Sequence, residues 1–194
     1  MYSQLLAIDR LKAMKILDVG CGNNKYKEKG TKVYGIDIGK TPDVDKLWDG
    51  EKDRIPYPSN YFDKIVSFGA IEHIGNFKNV MEEIWRVAKP KAKVIIVVPY
   101  YRSGWAFSEN HKLFFEIDSF QYLQPNHYGN WDYKARFNIT KNKLDMIMDD
   151  KSHVRFLRIF NPVINLPIIK ILFCELLSHI IIPQKLYFEL ETVK

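Results

Sequence analysis

Short apolar runs separated by turn residues, with one segment of helical period among them, set the pattern of this chain. Ile16, Leu17 and Val19 form a brief run with the length and β-branching of a buried strand, interrupted by Asp18. Val33 to Ile38 (VYGIDI) predicts a second strand with Asp37 at its carboxyl end. Asp45 to Asp49 predicts a short third strand, and Phe62 to Phe68 (FDKIVSF) a fourth. Val80, Ile84, Val87 and Ala88 recur at helical spacing with Glu82 and Glu83 outward, predicting a helix over 79–88 that stops before Pro90. Lys93 to Val98 is a β-branched run expected of a strand buried on both faces. Strand, helix, strand in succession predicts a parallel α/β sheet. Phe156 to Phe160 reads as a sixth strand and Leu186 to Val193 as a seventh. Short helices are expected from Ser3 through Leu11, from a cap at Asn23 to a stop at Gly30, and over Asp118 to Leu123.

Two segments break the pattern. From 100 to 136 aromatic residues crowd together (among them Trp105, Phe107, Phe114, Tyr128 and Trp131), interleaved with His111, His127 and Asn110. Lying just beyond a strand's carboxyl end, this segment is expected to form a substrate lid. From 162 to 183 the chain is strongly apolar, an expected helical insertion. Lys170, Glu175 and His179 inside it and the break at Pro167 argue against a membrane span. Over 166–182 apolar residues cover more than the face one domain needs, so a homodimer contact or a peripheral membrane contact is expected there, the homodimer favoured.

Length and composition narrow the class. A chain of 194 residues, 46% hydrophobic and 27% charged, fits a single globular domain over 1–194. The net charge of +6 is scattered rather than gathered into a stripe, which argues against nucleic acid as partner. Two distant cysteines, Cys21 and Cys174, suggest a reducing cytoplasm and no disulfide scaffold. The five histidines and two cysteines show no metal-ligand spacing, so no metal is expected.

The candidate chemistry centres on Lys15 to Asn24, KILDVGCGNN. Gly20-Cys21-Gly22 allows a tight turn and close approach of a ligand to bare backbone. The third glycine of a dinucleotide fingerprint is absent, its place taken by Lys25, and there is no Gly-Lys-Ser/Thr phosphate loop. Asp18 inside the strand suits a ligand with an ammonium group rather than a pyrophosphate. Asp37, followed by Ile38, stands where such folds hold a ribose diol. Trp48 and Asp49 are placed to meet an adenine ring. A cationic amino-acid end and a ribose without pyrophosphate describe S-adenosylmethionine, leaving S-adenosylhomocysteine as product. His73 and His111 are candidate bases should an acceptor hydroxyl need to lose a proton.

The chain resembles the class I S-adenosylmethionine-dependent methyltransferases, particularly the group called methyltransferase type 11. The resemblance is carried by LDVGCGNNK at 17–25, VYGIDI at 33–38, IPYPSNYFDKIVS at 55–67, IEHI at 71–74 and EIWRVAKPKAKVIIVVP at 83–99. The family's usual Pro-Gly-Gly is here Pro90-Lys91-Ala92. The resemblance implies a Rossmann-like, three-layer α/β/α fold with seven strands ordered 3-2-1-4-5-7-6, the last antiparallel. It implies Gly20, Cys21 and Gly22 under the methionine moiety with Asp18 near it, Asp37 and Ile38 at the ribose, and Asp49 and the backbone around Phe68 at the adenine. It further implies methyl transfer to an acceptor, expected to be a small molecule. An RNA or protein acceptor, or a non-catalytic binding module, is the alternative. The Asn/Asp-Pro-Pro-Tyr/Phe motif of amino-base enzymes is missing after the fourth strand, where Ser67-Phe68-Gly69-Ala70 stands.

Overall fold

The computed structural model describes residues 13–146, 155–172 and 182–194. Its strands are β1 (Met14–Val19), β2 (Thr31–Asp37), β3 (Lys46–Leu47), β4 (Phe62–Phe68), β5 (Ala88–Pro99), β6 (Phe137–Asp145) and β7 (Lys185–Thr192). They form one sheet in the order β3-β2-β1-β4-β5-β7-β6. β1 to β5 pair in parallel, with Asp18 opposite Gly35 and Leu17 opposite Ile65. β7 runs antiparallel to both of its neighbours.

The central strands are buried because their apolar runs leave no polar face. Leu17, Val19, Ile65, Val94, Ile96 and Val98 lie in one core with Val80, Met81, Ile84 and Val87 of helix α1 (Phe77–Val87). β7 alternates instead, burying Leu186, Phe188 and Leu190. Helix α1 starts two residues earlier than its periodicity suggests, because Asn76 caps it by accepting from the Asn79 amide. Glu83 of this helix is turned inward, not outward. Arg86 neutralises it at 2.6 Å, and its carboxylate accepts the Ile55 amide. Charge pairing outweighs the expected solvation of that face.

Three expected elements are not formed as the sequence suggests. The chain from Gly20 to Gly30 makes turns and extended backbone in place of the helix expected from Asn23. Lys25, Tyr26, Lys27, Glu28 and Lys29 supply no apolar stripe to bury. Tyr26 instead packs its ring 5.8 Å from that of Phe68, and Glu28 pairs with Lys64 at 2.5 Å. The sixth strand is Phe137–Asp145, whereas Arg155–Phe160, where a strand was expected, forms a 3₁₀ helix. β6 is an edge strand carrying Lys141 and Lys143, with a register shift between Ile139 and Lys141, so its alternation is masked in the sequence. Asp118 to Leu123 yields only a 3₁₀ turn at Gln121–Leu123.

Within 162–183 the described residues form helices α2 (Asn161–Ile164) and α3 (Pro167–Leu172), divided at Asn165. Asn165 is bound to both the amide and the carbonyl of Leu144 in β6, and Asn161 accepts the Met146 amide. Ile168, Ile171 and Leu172 of α3 are exposed. The helix expected at Ser3 to Leu11 and residues 173–181 of the apolar segment lie outside the described residues. No helix among the described residues is long and apolar enough to cross a membrane.

Candidate cofactor site

The carboxyl ends of β1, β2 and β4 converge on Gly20. Its backbone takes φ +73°, and a Cβ there would come within 2.1 Å of the Ala70 Cβ, so a side chain is excluded on two grounds. The Gly20 and Cys21 amides both donate to the Ile36 carbonyl, which ties the turn to β2. Two cavities meet at Gly20. One, of about 410 Å³, is lined by Asp18, Cys21, Tyr26 and Phe68 among others. The other, of about 380 Å³, is lined by Gly22, Asp37, Ile38, Trp48, Asp49, Ala70 and His73 among others. Together they make a trough across the glycine turn.

Asp37 is the hinge of that trough. Its Oδ2 accepts the Gly22 amide at 2.9 Å and its Oδ1 the Gly39 amide at 2.8 Å. Each oxygen keeps further capacity to accept a hydrogen bond, and the residue lines the second cavity. Asp18 is buried at 3% exposure and accepts the Tyr26 amide at 2.7 Å. Burial, chiefly, pushes its carboxyl up to about 6, against the Tyr26 hydrogen bond and Lys25, which favour the anion. A buried carboxyl with no ion-paired cation among the described residues is suited to an incoming ammonium group.

The other expected residues divide. Ile38 stands exposed on the cavity beside Asp37. Asp49 also lines that cavity, but its carboxylate accepts the Glu51 amide and pairs with Lys52. Trp48 is buried, its Nε1 donating to the Asp53 carbonyl, so one edge faces the cavity while the ring fills the core. The Phe68 side chain lies in the Asp18 lobe against Tyr26, while Gly69 and Ala70, next along the backbone, line the second cavity with Asp49. Cys21 is buried under the turn with its Sγ near the Asp43 carbonyl, and burial pushes its thiol up to about 12. A thiol so held stays protonated near neutral pH, while the residue still lines the Asp18 cavity.

His73 and His111, 38 positions apart in the sequence, stand with ring centroids 4.5 Å apart. Only His73 lines the trough. The loop bearing His111 is held there by the Lys112 and Leu113 amides, both donating to the Glu72 carbonyl, and by Lys112 pairing with Glu51 at 2.6 Å. Glu51 further accepts the Gly75 and Asn76 amides. Sequence reading missed Tyr26, Glu51, Gly69, Ala70 and Lys112. No motif marks them, since each enters the site through tertiary contacts.

A Rossmann-like sheet of this order with a glycine turn and an acid on the second strand defines the class I S-adenosylmethionine-dependent methyltransferase fold. The model of a methyltransferase domain family matches residues 2–142, and the chain belongs to that family. A sterol 24-C-methyltransferase of Pneumocystis carinii is 39% identical over 72 residues, 37% of this chain and 19% of that protein. A tRNA (carboxymethyluridine(34)-5-O)-methyltransferase of Schizosaccharomyces pombe is 29% identical over 84 residues, 40% of this chain and 37% of that protein. These alignments thus span well under half of either relative. The crystal structure of an S-adenosylmethionine-dependent methyltransferase from Mesorhizobium loti superposes with a TM-score of 0.57 at 13% identity, covering 97% of this chain and 96% of that one, a likeness of fold.

Proposed function

We propose that the protein transfers a methyl group from S-adenosylmethionine to a small-molecule acceptor. The observation that carries this reading is the Asp37 carboxylate set across Gly22, with Asp18 at the far side of Gly20. The bound cofactor would supply an electrophilic methyl on a sulfonium whose leaving group is neutral. Asp37 and Ile38 would hold the ribose, Gly20 and Gly22 would let the methionine chain lie on the backbone, and Asp18 would receive the ammonium group. The residues lining the cavity beyond Ile38, with Asp49 and Trp48, would enclose the adenine.

With a good leaving group, the protein's task is chiefly alignment, and orientation contributes ~7–11 kcal/mol in favourable cases. For a hydroxyl acceptor, His73 would take the proton at its free nitrogen, since Nδ1 is engaged by the Asn110 carbonyl at 3.2 Å. The exposed aromatics Trp105, Phe107, Phe114 and Trp131 of the 100–136 segment suit an apolar acceptor. A sterol acceptor for the Pneumocystis relative supports this. An RNA acceptor, as in the Schizosaccharomyces relative, is the second reading. The exposed face of α3 belongs to the same proposal as a contact between two copies of the chain.

The test is calorimetry with S-adenosylmethionine and S-adenosylhomocysteine, followed by product detection against panels of apolar hydroxylated metabolites and of RNA. Binding of both nucleosides is expected. Absence of binding at millimolar ligand would remove the methyltransferase reading, and turnover on RNA alone would replace the small-molecule acceptor.

A further inference from the structure

Glu72 carries a buried carboxylate that the fold leaves unfinished. The residue is 2% exposed, and its Oε2 has no hydrogen-bond partner. An unpaired polar atom at such depth costs stability unless something completes it. His73 and His111 stand beside it, and one ligand atom from each of the three lies within 4.8 Å of the others. Among the described residues this is the group of histidine, cysteine and carboxylate side chains arranged to hold a metal ion.

The hydrogen bonds that orient the two imidazoles are formed as well. His73 Nδ1 lies 3.2 Å from the Asn110 carbonyl and His111 Nδ1 3.2 Å from the Ala106 carbonyl. Donation of Nδ1–H to those carbonyls fixes the tautomer and leaves a lone pair on Nε2 of each ring. Metal-bound imidazoles are oriented in this way. Two backbone hydrogen bonds, from the Lys112 and Leu113 amides to the Glu72 carbonyl, lock the loop that brings His111 to the 3₁₀ turn Ile71–His73. Tetrahedral zinc with bonds of about 2.0–2.1 Å has ligand atoms roughly 3.4 Å apart. The three ligand atoms, within 4.8 Å of one another, lie wider than that spacing, so the ion would draw them together on binding.

The geometry points to a divalent transition-metal site formed by Glu72, His73 and His111 at the edge of the cofactor trough. Two imidazoles and one carboxylate select a zinc-like ion over magnesium or calcium, which prefer all-oxygen shells. Three protein ligands leave a coordination position for water or for an oxygen of the acceptor. The metal-free expectation came from spacing along the chain, which is blind to histidines 38 positions apart. Metal binding does not depend on the proposed methyl transfer. If the acceptor oxygen takes the open position, the ion would ease loss of its proton in place of His73, whose Nε2 lone pair is then engaged by the metal and cannot also serve as base.

The experiment is titration of the full chain, freed of any affinity tag, with zinc by calorimetry and with cobalt(II) by visible absorption. S-adenosylhomocysteine calorimetry runs on the same samples. One equivalent of metal is expected, and imidazole ¹⁵N signals of two of the five histidines should move on adding zinc. Glu72→Gln and His111→Asn should each weaken binding at least about tenfold, as loss of one ligand among three requires. No zinc binding at millimolar metal, a shift of other histidines, or undiminished affinity in folded variants would overturn the site. S-adenosylhomocysteine binding that persists in that case leaves the cofactor reading standing. Loss of both would remove each separately.

Discussion

Asp18 and Asp37 are two carboxylates beside one glycine turn, and their surroundings set them different tasks. Asp37 is bound by two amides and stays on the cavity wall. Asp37→Ala is expected to weaken S-adenosylhomocysteine binding by ~1.5–3 kcal/mol, the range for hydrogen bonds to a charged group. Calorimetry on a folded variant reads this directly, and unchanged affinity would place the ribose elsewhere. Asp18 is held at about 6, above its ordinary 3.8, by burial. Between those values the folded chain binds a proton that the unfolded chain has released. Its contribution to stability is therefore complete below the unfolded value and lost as pH rises through about 6, on the order of 3 kcal/mol in all. Asp18→Asn should melt higher than wild type at pH about 8 and no differently near pH 4, by linkage of the same proton. The same variant should bind S-adenosylmethionine more weakly, and wild-type affinity should fall as pH drops below about 6.

At the scale of elements, the turn between α1 and the body of β5 shows what the chain substituted for glycine. Lys91 adopts φ 59°, the left-handed conformation that a glycine at this place would take freely. The register of β4 on β5 shifts across this point, between Phe62 and Lys64, so the strain is localised at a bulge. Lys91 is exposed, and a left-handed non-glycine residue costs about 1–2 kcal/mol, partly offset by the entropy of an added glycine. Lys91→Gly should therefore stabilise the fold by ~0.5–1 kcal/mol, read by urea denaturation with an unchanged slope. At the other end of α1, Asn76→Ala removes the cap of the Asn79 amide and a bond from Asn76 Nδ2 to the Glu51 carbonyl. A loss of ~1 kcal/mol is expected for the cap.

Across the whole molecule, the sheet joins residues from 14 to 192, and its centre and its β6 edge face different surroundings. Around β1 and β4 the core is sealed, while beyond β6 helix α3 exposes Ile168 at 74% and Ile171 at 66%. Such a face calls for a cover. Light scattering of the wild type is expected to report a dimer and that of an Ile168→Glu, Ile171→Glu variant a monomer. A monomeric wild type that also fails to float with liposomes would mean that the chain covers this face with its own residues.

What the sequence determined by itself was local and periodic. The buried runs of β1, β4 and β5 and the period of α1 are legible because a strand buried on both faces must be apolar throughout and an amphipathic helix must repeat. The glycine turn, Asp18 and Asp37 are legible because few residue types tolerate φ +73° or occur as acids inside a buried strand. Strand order followed from resemblance. Tertiary structure alone decided the rest. The edge strand β6 carries too much charge to look like a strand, and Arg155–Phe160 looks like one but coils into a 3₁₀ helix. The helix expected after Gly22 gave way to the Tyr26–Phe68 and Glu28–Lys64 contacts, which no local propensity encodes. The meeting of Glu72, His73 and His111 depends on two backbone hydrogen bonds between segments some 40 residues apart. Side chains so separated become neighbours only once the loop is closed, and the cost and reward of that closure belong to the folded chain as a whole.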